Sequence, residues 1–312
     1  MAKLQTMKTS HLSIFFCIIY LCSLSAVAQS ADSLSPNTAL KILSWNIFML
    51  PRLTKNTHKT ARSKAIAEYL QTENADIIVF QEAFHGGARR IIKSLIGKSY
   101  PYEAGPANAR LFSIKANSGI WILSKHPIVQ QDAITYENKY GIDAFAKKGA
   151  LLVEITTNGQ RIQVVGTHLQ NSGKHQLKYK QCEELSQNLL KKHQRSDIPQ
   201  VICGDFNIEK CSNGYETMLF ALGAEDGNLS SEQIFSYDRL TNDLHSEKGT
   251  ERDLIDYILL RNGKEIVKNI TRIIKPIKIQ WHKHHQDVSD HYPIISELYL
   301  PSINAETRKN KD

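Results

Sequence analysis

The chain has 312 residues, 41% of them hydrophobic and 22% charged, with 16 glycines and 9 prolines, a composition that excludes disorder or low-complexity structure over most of its length. Lysine and arginine number 39 against 31 aspartates and glutamates, a formal net charge of +8. That excess favours approach to an anionic polymer or a membrane surface without choosing between them.

The first element is apolar. Lys3 and Lys8 precede an apolar stretch over residues 11–27 that ends in Ala26-Val27-Ala28, the layout of a signal peptide cleaved after residue 28. The uninterrupted run 12–24 includes Ser and Cys and is shorter than the roughly 18 to 20 apolar residues that span a bilayer. Removal of 1–28 takes two lysines and no acid, and it predicts a secreted or periplasmic product. Cys17 and Cys22 leave with the signal, so Cys182, Cys203 and Cys211 remain, an odd set that gives no disulfide framework. Cys203, in the run Val201-Ile202-Cys203, reads as a small buried hydrophobe, and Cys182 with Cys211 is a pairing left open. No Cys/His spacing suggests structural zinc. Residues 29–39 read as a polar lead-in, 305–312 as a charged tail, and 40–304 as a single domain without a linker.

Within that domain, β-type runs recur at 42–45, 77–80, 119–123, 150–155, 162–167, 200–203, 254–260 and 294–300. Helical patterns lie between them: Ala61, Ala65, Ile66 and Leu70 fall on one face of 60–70, and Leu177, Leu185 and Leu189 are near helical spacing in 173–192. Asn158-Gly159 predicts a hairpin turn. Strand pairs joined by hairpins and separated by helices predict an α/β sandwich with mixed sheets.

Polar groups follow the apolar strands closely. Asn46 follows Leu43-Ser44-Trp45, Gln81-Glu82 follow the run 77–80, Thr167-His168 follow Val164-Val165-Gly166, Asp205-Phe206-Asn207 follow 201–204, and Asp290-His291 precede the last strand. Alone, each has a plain structural reading as a loop or turn residue. Together, at strand ends that can converge on one edge of a sandwich, they make a candidate metal and phosphate site.

These segments, Ser44-Trp45-Asn46-Ile47, Asp76-Ile77-Ile78-Val79-Phe80-Gln81-Glu82, Gly166-Thr167-His168-Leu169, Gly204-Asp205-Phe206-Asn207, Ile255-Asp256-Tyr257-Ile258 and Ser289-Asp290-His291-Tyr292-Pro293, resemble in order the motifs of the endonuclease/exonuclease/phosphatase superfamily of metal-dependent phosphodiesterases. The resemblance implies a DNase I-like four-layer α/β sandwich, two mixed β-sheets packed face to face with helices outside. Within that superfamily, Asn46-Ile47-Phe48-Met49-Leu50-Pro51, the segment from Ser118 through Lys125 to Ile128, and Lys147-Lys148-Gly149-Ala150 resemble segments of the secreted and neutral sphingomyelinases. No long aromatic hairpin for membrane insertion is evident. This resemblance implies phospholipase C-type hydrolysis of sphingomyelin, or a related sphingophospholipid, to ceramide and phosphocholine or the matching head group. A secreted metal-dependent nuclease would use the same groups on a charged polymer and is the alternative.

Phosphodiester cleavage needs an activated water and neutralisation of the phosphate charge. Mg²⁺ suits carboxylate and amide oxygens, with Mn²⁺ or Co²⁺ as substitutes. Glu82 is the expected metal ligand, with Asn46 as a second oxygen donor. His291 is the expected general base. The resemblance implies that Asp256 orients it, that Asp205 and Asn207 orient water or phosphate, that His168 donates to a phosphate oxygen, and that Asp290 helps fix the water, a ligand or His291. Lys125, Lys147 and Lys148 are candidate phosphate contacts. The run from Lys275 to His285 alternates basic and apolar residues, so Trp281 is either a membrane-face contact or part of a strand that packs Ile277 and Ile279 inward. His282, His284 and His285 in the same run read as a solvated or interfacial segment.

Overall fold

The structure, a computed structural model, describes residues 38–51, 57–108, 117–141, 147–171, 175–245, 249–262 and 268–300. The expected signal segment, residues 29–37 of the lead-in and the tail 305–312 lie outside these residues. Residues 38 and 39, expected as lead-in, already belong to the first strand. The described residues fall in one compact unit, Pro36–Asp312, and none of their helices is long and apolar enough to cross a membrane.

In chain order the first half contains β1 (Thr38–Met49), α1 (Lys59–Glu73), β2 (Ile77–Ala83), α2 (Gly86–Ile96), β3 (Tyr102–Ala104), β4 (Trp121–Ser124), β5 (Ile128–Thr135), β6 (Gly149–Thr157) and β7 (Gln160–His168). Helix α3 (His175–Leu185) then runs through a π turn (Ser186–Leu190) into α4 (Lys191–His193), before β8 (Gln200–Asp205) and α5 (Asn213–Leu222). The remaining strands are β9 (Glu225–Asp226), β10 (Asn228–Leu229), β11 (Tyr237–Asp238), β12 (Arg252–Asp253), β13 (Asp256–Arg261), β14 (Lys268–Ile274), β15 (Lys278–His282), β16 (His285–Asp287) and β17 (Ile294–Leu300).

Two sheets dominate. One has the order β10-β14-β17-β1-β2-β4-β3 and the other β5-β6-β7-β8-β13-β9. Both are mixed: β1 with β2 and β7 with β8 are parallel, whereas β1 with β17 and β8 with β13 are antiparallel. The Asn158-Gly159 turn joins β6 to β7, with Thr157 opposite Gln160.

Strand periodicity divides the core. In β1 and β2, Leu40, Ile42, Ile77 and Val79 join the cluster shared with Val153, Val164 and Ile202 of the other sheet. Their sequence neighbours Leu43, Trp45, Ile78 and Phe80 face the opposite way, against Ile66 and Leu70 of α1 and Ile92 of α2. A period of two therefore gives strands buried on both faces, as a sheet with a second sheet on one side and helices on the other requires. Gly166 is needed at the sheet contact, where a Cβ would come within 2.7 Å of Ile120 and 2.8 Å of Val79. The side chains of α3 and α5 extend the shared core through Cys182, Leu185, Met218 and Leu222.

Cys182 and Cys203 are buried, Cys211 is exposed, and all three are free. The pairing left open for Cys182 with Cys211 is therefore not made. Cys182 instead occupies core space on α3.

Candidate active site

Register builds the site. In the second sheet, His168 pairs with Asp205 across parallel β7 and β8, and Asp205 pairs with Asp256 across antiparallel β8 and β13. Three adjacent strands thus bring an imidazole and two carboxylates to one level, about 4.8 Å apart strand to strand. In the first sheet, Asn46 lies opposite Gln81, one residue before Glu82. The Asn46 Nδ2 donates to Asp205 Oδ2 at 3.1 Å, so the two sheets meet through these side chains.

His291 enters from the segment before β17. Its Nδ1 is 2.8 Å from Asp256 Oδ2 and its Nε2 is 3.7 Å from Asp205 Oδ2. The ring is held from several sides: Trp45 Nε1 donates to the His291 carbonyl at 2.9 Å, Ser289 Oγ donates to the Asn46 carbonyl at 2.6 Å, and the Tyr237 ring centre is 5.1 Å from that of His291. His168 Nε2 is 3.4 Å from Asp205 Oδ2. Asn207, in the left-handed region at φ +52°, donates its backbone N–H to Asp205 Oδ1 at 2.9 Å, while its side-chain Nδ2 donates to the Leu169 carbonyl at 3.2 Å. Lys148 is buried and donates to the same carbonyl at 2.7 Å.

Glu82 is the least satisfied member. It has φ +53°, a conformation costly for a side chain of its kind and tolerated only where the surroundings impose it. Its Oε2 is sealed from solvent, with no hydrogen-bond partner among the described residues. Burial first, and then the Asp290 carboxylate, push the Glu82 carboxyl up to about 7 against the opposing pull of Lys148 and His291. For His291 burial acts in the opposite sense, but Asp256, Asp205 and Asp290 outweigh it and hold the imidazole well above its ordinary range. Burial and Lys148 lower His168 to about 3, so it is neutral at physiological pH.

The donor set fits a hard divalent cation. Glu82 Oε2 is an unpartnered carboxylate oxygen, Asn46 Oδ1 accepts one bond, from Phe48 N, and so retains a lone pair, and Asp256 Oδ1 is also unpartnered among the described residues. Asp205, Asp256 and His291 each offer a ligand atom within 4.8 Å of the others. His291 Nδ1 is already committed to Asp256 Oδ2, whereas the unpartnered Glu82 Oε2 and the remaining lone pair of Asn46 Oδ1 are available without breaking a hydrogen bond.

Two expected substrate contacts lie elsewhere. Lys125 follows β4, whose antiparallel register puts Ser124 opposite Ile77 and Trp121 opposite Phe80. It therefore sits at the far end of β2 from Glu82, where its Nζ donates to the Asn74 carbonyl at 2.7 Å and pairs with Asp76 at 3.2 Å. Trp281 is half-buried: its Nε1 donates to the Asp287 carbonyl at 2.9 Å, and its side chain packs on the core beneath α1. The inward-packing reading describes this strand, since Ile277 and Ile279 belong to the same core.

Three contributors carried no sequence signal. Arg62 on α1 is fully buried and donates to the carbonyls of Val288 at 2.9 Å, Phe48 at 2.9 Å and Ile47 at 2.6 Å, tying the end of β1 to the segment that carries Asp290 and His291. Tyr237 and His245 pack edge to face, with ring centres 4.9 Å apart, beside His291, and His245 Nε2 is buried without a partner among the described residues. An arginine in a polar helical stretch, and a Tyr and a His in loop-like sequence, look like surface until the fold closes over them.

Such a convergence of oxygen donors and an Asp-supported histidine at sheet ends defines a site for metal-assisted phosphodiester chemistry. Residues 43–291 match the Endonuclease/Exonuclease/phosphatase family, and the chain belongs to it. Among curated proteins it is 30% identical over 309 residues to "Sphingomyelinase C 2" of Leptospira interrogans, covering 89% of this chain and 49% of that protein. It is 27% identical over 297 residues to "Phospholipase C" of Staphylococcus aureus, covering 86% of this chain and 89% of the relative. The chain therefore spans about half the length of the Leptospira relatives it matches, 49% and 54% for two of them. Among solved structures, Sphingomyelinase C from Streptomyces griseocarneus superposes with a TM-score of 0.76 at 24% identity, covering 84% of this chain and 99% of that one. A Staphylococcus aureus beta toxin variant with bound magnesium ions gives 0.76 at 25% identity, covering 84% and 100%.

Proposed function

We propose that this chain is a secreted, Mg²⁺-dependent phosphodiesterase of phospholipase C type, with 40–304 as its catalytic domain, that hydrolyses sphingomyelin or a related sphingophospholipid to ceramide and phosphocholine or the matching phospho-head group. The observation that carries this reading is the unpartnered Glu82 Oε2 in the same strand-end cluster as the His291–Asp256 pair. The likeness to proteins named sphingomyelinase C and phospholipase C supplies the substrate class, and a substrate of that class brings the site against a lipid surface.

Glu82 and Asn46 would hold the cation, which would supply charge neutralisation for the phosphate oxygens; Mn²⁺ or Co²⁺ would be substitutes for Mg²⁺ there. His291 takes the proton of the attacking water at Nε2, because Asp256 Oδ2 accepts from Nδ1–H and so fixes the tautomer with the Nε2 lone pair available. A cation held at Glu82 would set a positive charge against the Asp256, Asp205 and Asp290 carboxylates that raise His291, and so bring the imidazole toward the range in which it can act as a base. Neutral His168 donates from Nε2 toward a phosphate oxygen. Asp205 and Asn207 orient the water or phosphate, Asp290 steadies His291 electrostatically, and Lys148 supplies a positive charge that favours the Glu82 carboxylate.

The test is head-group release from sphingomyelin, its phosphoethanolamine analogue, phosphatidylcholine and DNA in parallel, with Mg²⁺ and with chelator. The proposal predicts phosphocholine from sphingomyelin only when the cation is present. Rapid DNA cleavage without choline-lipid turnover would favour the nuclease instead.

A further inference from the structure

His291 and Asp256 stand 35 residues apart on different segments, and one side-chain hydrogen bond of 2.8 Å joins them. That bond orients the imidazole only while the two backbones keep their spacing. A third segment, Ser236-Tyr237, holds both. Ser236 is buried, and its Oγ accepts from the backbone N–H groups of Ile255 and Asp256, each at 3.1 Å. Its carbonyl accepts from Tyr292 N at 2.7 Å, and its own N–H donates to the Asp253 carbonyl at 3.0 Å. Tyr237, the next residue, forms an isolated antiparallel bridge with His291 and sets its ring centre 5.1 Å from that of the imidazole.

Asp256 needs such support because it opens β13. The strand β9, neighbour of β13 on the side away from β8, pairs only with Leu259 and Leu260, so it leaves the Asp256 end of the strand to other partners. A buried N–H without an acceptor is costly, and the Ser236 hydroxyl oxygen, with two lone pairs, serves two of them at once. Without it the backbone at Ile255 and Asp256 would shift toward other acceptors, and the carboxylate that holds Nδ1 of His291 would move with it. The His291 side of the pair would stay in place, since it is held by main-chain bonds of Ser236 and Tyr237 that do not involve the hydroxyl.

We propose that Ser236 is a positioning residue for proton transfer: its hydroxyl fixes the Asp256 backbone, and through the Asp256 carboxylate it fixes the direction of His291 Nε2. This rests on the reading of His291 as the base and Asp256 as its orienting partner. The bonds of Ser236 named above all go to main-chain groups, so its hydroxyl acts through Asp256 and governs the rate of the chemical step, not the affinity for substrate.

The test compares Ser236→Ala, Ser236→Thr and Ser124→Ala with wild type in head-group release from sphingomyelin with Mg²⁺, well below every melting midpoint. Ser124 is the matched control. It is as fully buried, its Oγ accepts from His126 N at 2.9 Å, and it lies opposite Ile77, at the far end of β2 from Glu82. The expected result is a kcat lowered about 10- to 100-fold in Ser236→Ala with KM within about twofold of wild type. Ser236→Thr, which keeps the oxygen, should recover most of that rate, and Ser124→Ala should keep the wild-type kcat. Low-field proton NMR reads the pair without substrate: the His291 Nδ1–H signal, assigned by its absence in His291→Ala, should shift or broaden in Ser236→Ala and persist in Ser236→Thr. An unchanged kcat or an unchanged Nδ1–H signal in Ser236→Ala would overturn the proposal, as would an equal kcat loss in Ser124→Ala. If wild type released no head group from sphingomyelin, the substrate reading would fail and the NMR comparison would still decide whether Ser236 holds the pair.

Discussion

Two glutamates at opposite reaches of the sandwich, Glu154 buried and Glu82 half-buried with a sealed carboxylate oxygen, have opposite fates. Glu154 of β6 is 2% exposed, yet Gln163 donates to its Oε2 at 3.0 Å, Arg195 pairs with the same oxygen and Arg161 lies 3.4 Å from Oε1. Burial opposes its ionisation, but Gln163 and Arg195 prevail and hold it below the usual carboxylate range. Glu82 has a sealed oxygen with no partner among the described residues, and its pKa is about 7. One carboxylate is complete within the protein. The other is completed only from outside, and a buried anion left in that state destabilises the fold that holds it.

The comparison is sharpened first by activity. His291→Ala should lower kcat by about 10² to 10⁴ with the melting profile largely kept, because the imidazole's main partner is Asp256 at the site itself. An unchanged rate would remove the base assignment. Glu82→Gln should abolish activity at ordinary Mg²⁺, and a Mg²⁺ titration matching wild type would contradict its role as ligand.

Next in size is the scaffold beneath the site. Arg62→Ala leaves four carbonyls, those of Ile47, Phe48, Thr57 and Val288, without this donor and should cost about 3 to 5 kcal/mol in denaturant unfolding. A loss below about 1 kcal/mol would mean that water replaces the guanidinium. Glu154→Ala, which strands Gln163 and Arg195, should cost about 1 to 3 kcal/mol, opposite in sign to the effect expected at Glu82.

The sequence carried β1, β2, β4, β6, β7, β8, β13 and β17 because each holds an apolar run that is largely buried, and missed β5, whose residues are mostly exposed or half-buried, and the remaining, mostly short strands. It carried α1 because Ala65, Ile66 and Leu70 mark its inner face. It carried α2 and α5 poorly. The former opens on Gly86-Gly87 and continues through Arg89-Arg90, a loop-like beginning that becomes helical once His85 Nδ1 accepts from Ala88 N at 3.0 Å. At the site, residues that directly follow strands were legible, since chain direction alone puts Glu82, His168 and Asp205 at strand ends. Lys125 was misplaced for the same reason: β4 runs antiparallel to β2, so the residue after it points away from the site. Arg62 and Tyr237 were illegible because their roles depend on carbonyls and rings brought in from distant segments.

The smallest predicted effect tests the central claim most directly, that Glu82 is a carboxylate kept for a cation. Its folded pKa of about 7 lies above the ordinary value of 4.5. Its favourable contribution is therefore full below pH 4.5 and is lost as pH rises through 7. In chelator at pH 8, Glu82→Gln should be more stable than wild type by about 1 to 3 kcal/mol, and the difference should disappear near pH 4.5. Adding Mg²⁺ at pH 8 should raise the Tm of wild type and leave that of Glu82→Gln nearly unchanged. Equal Mg²⁺ stabilisation of both proteins, or a metal-free Glu82→Gln less stable than wild type at pH 8, would contradict the account.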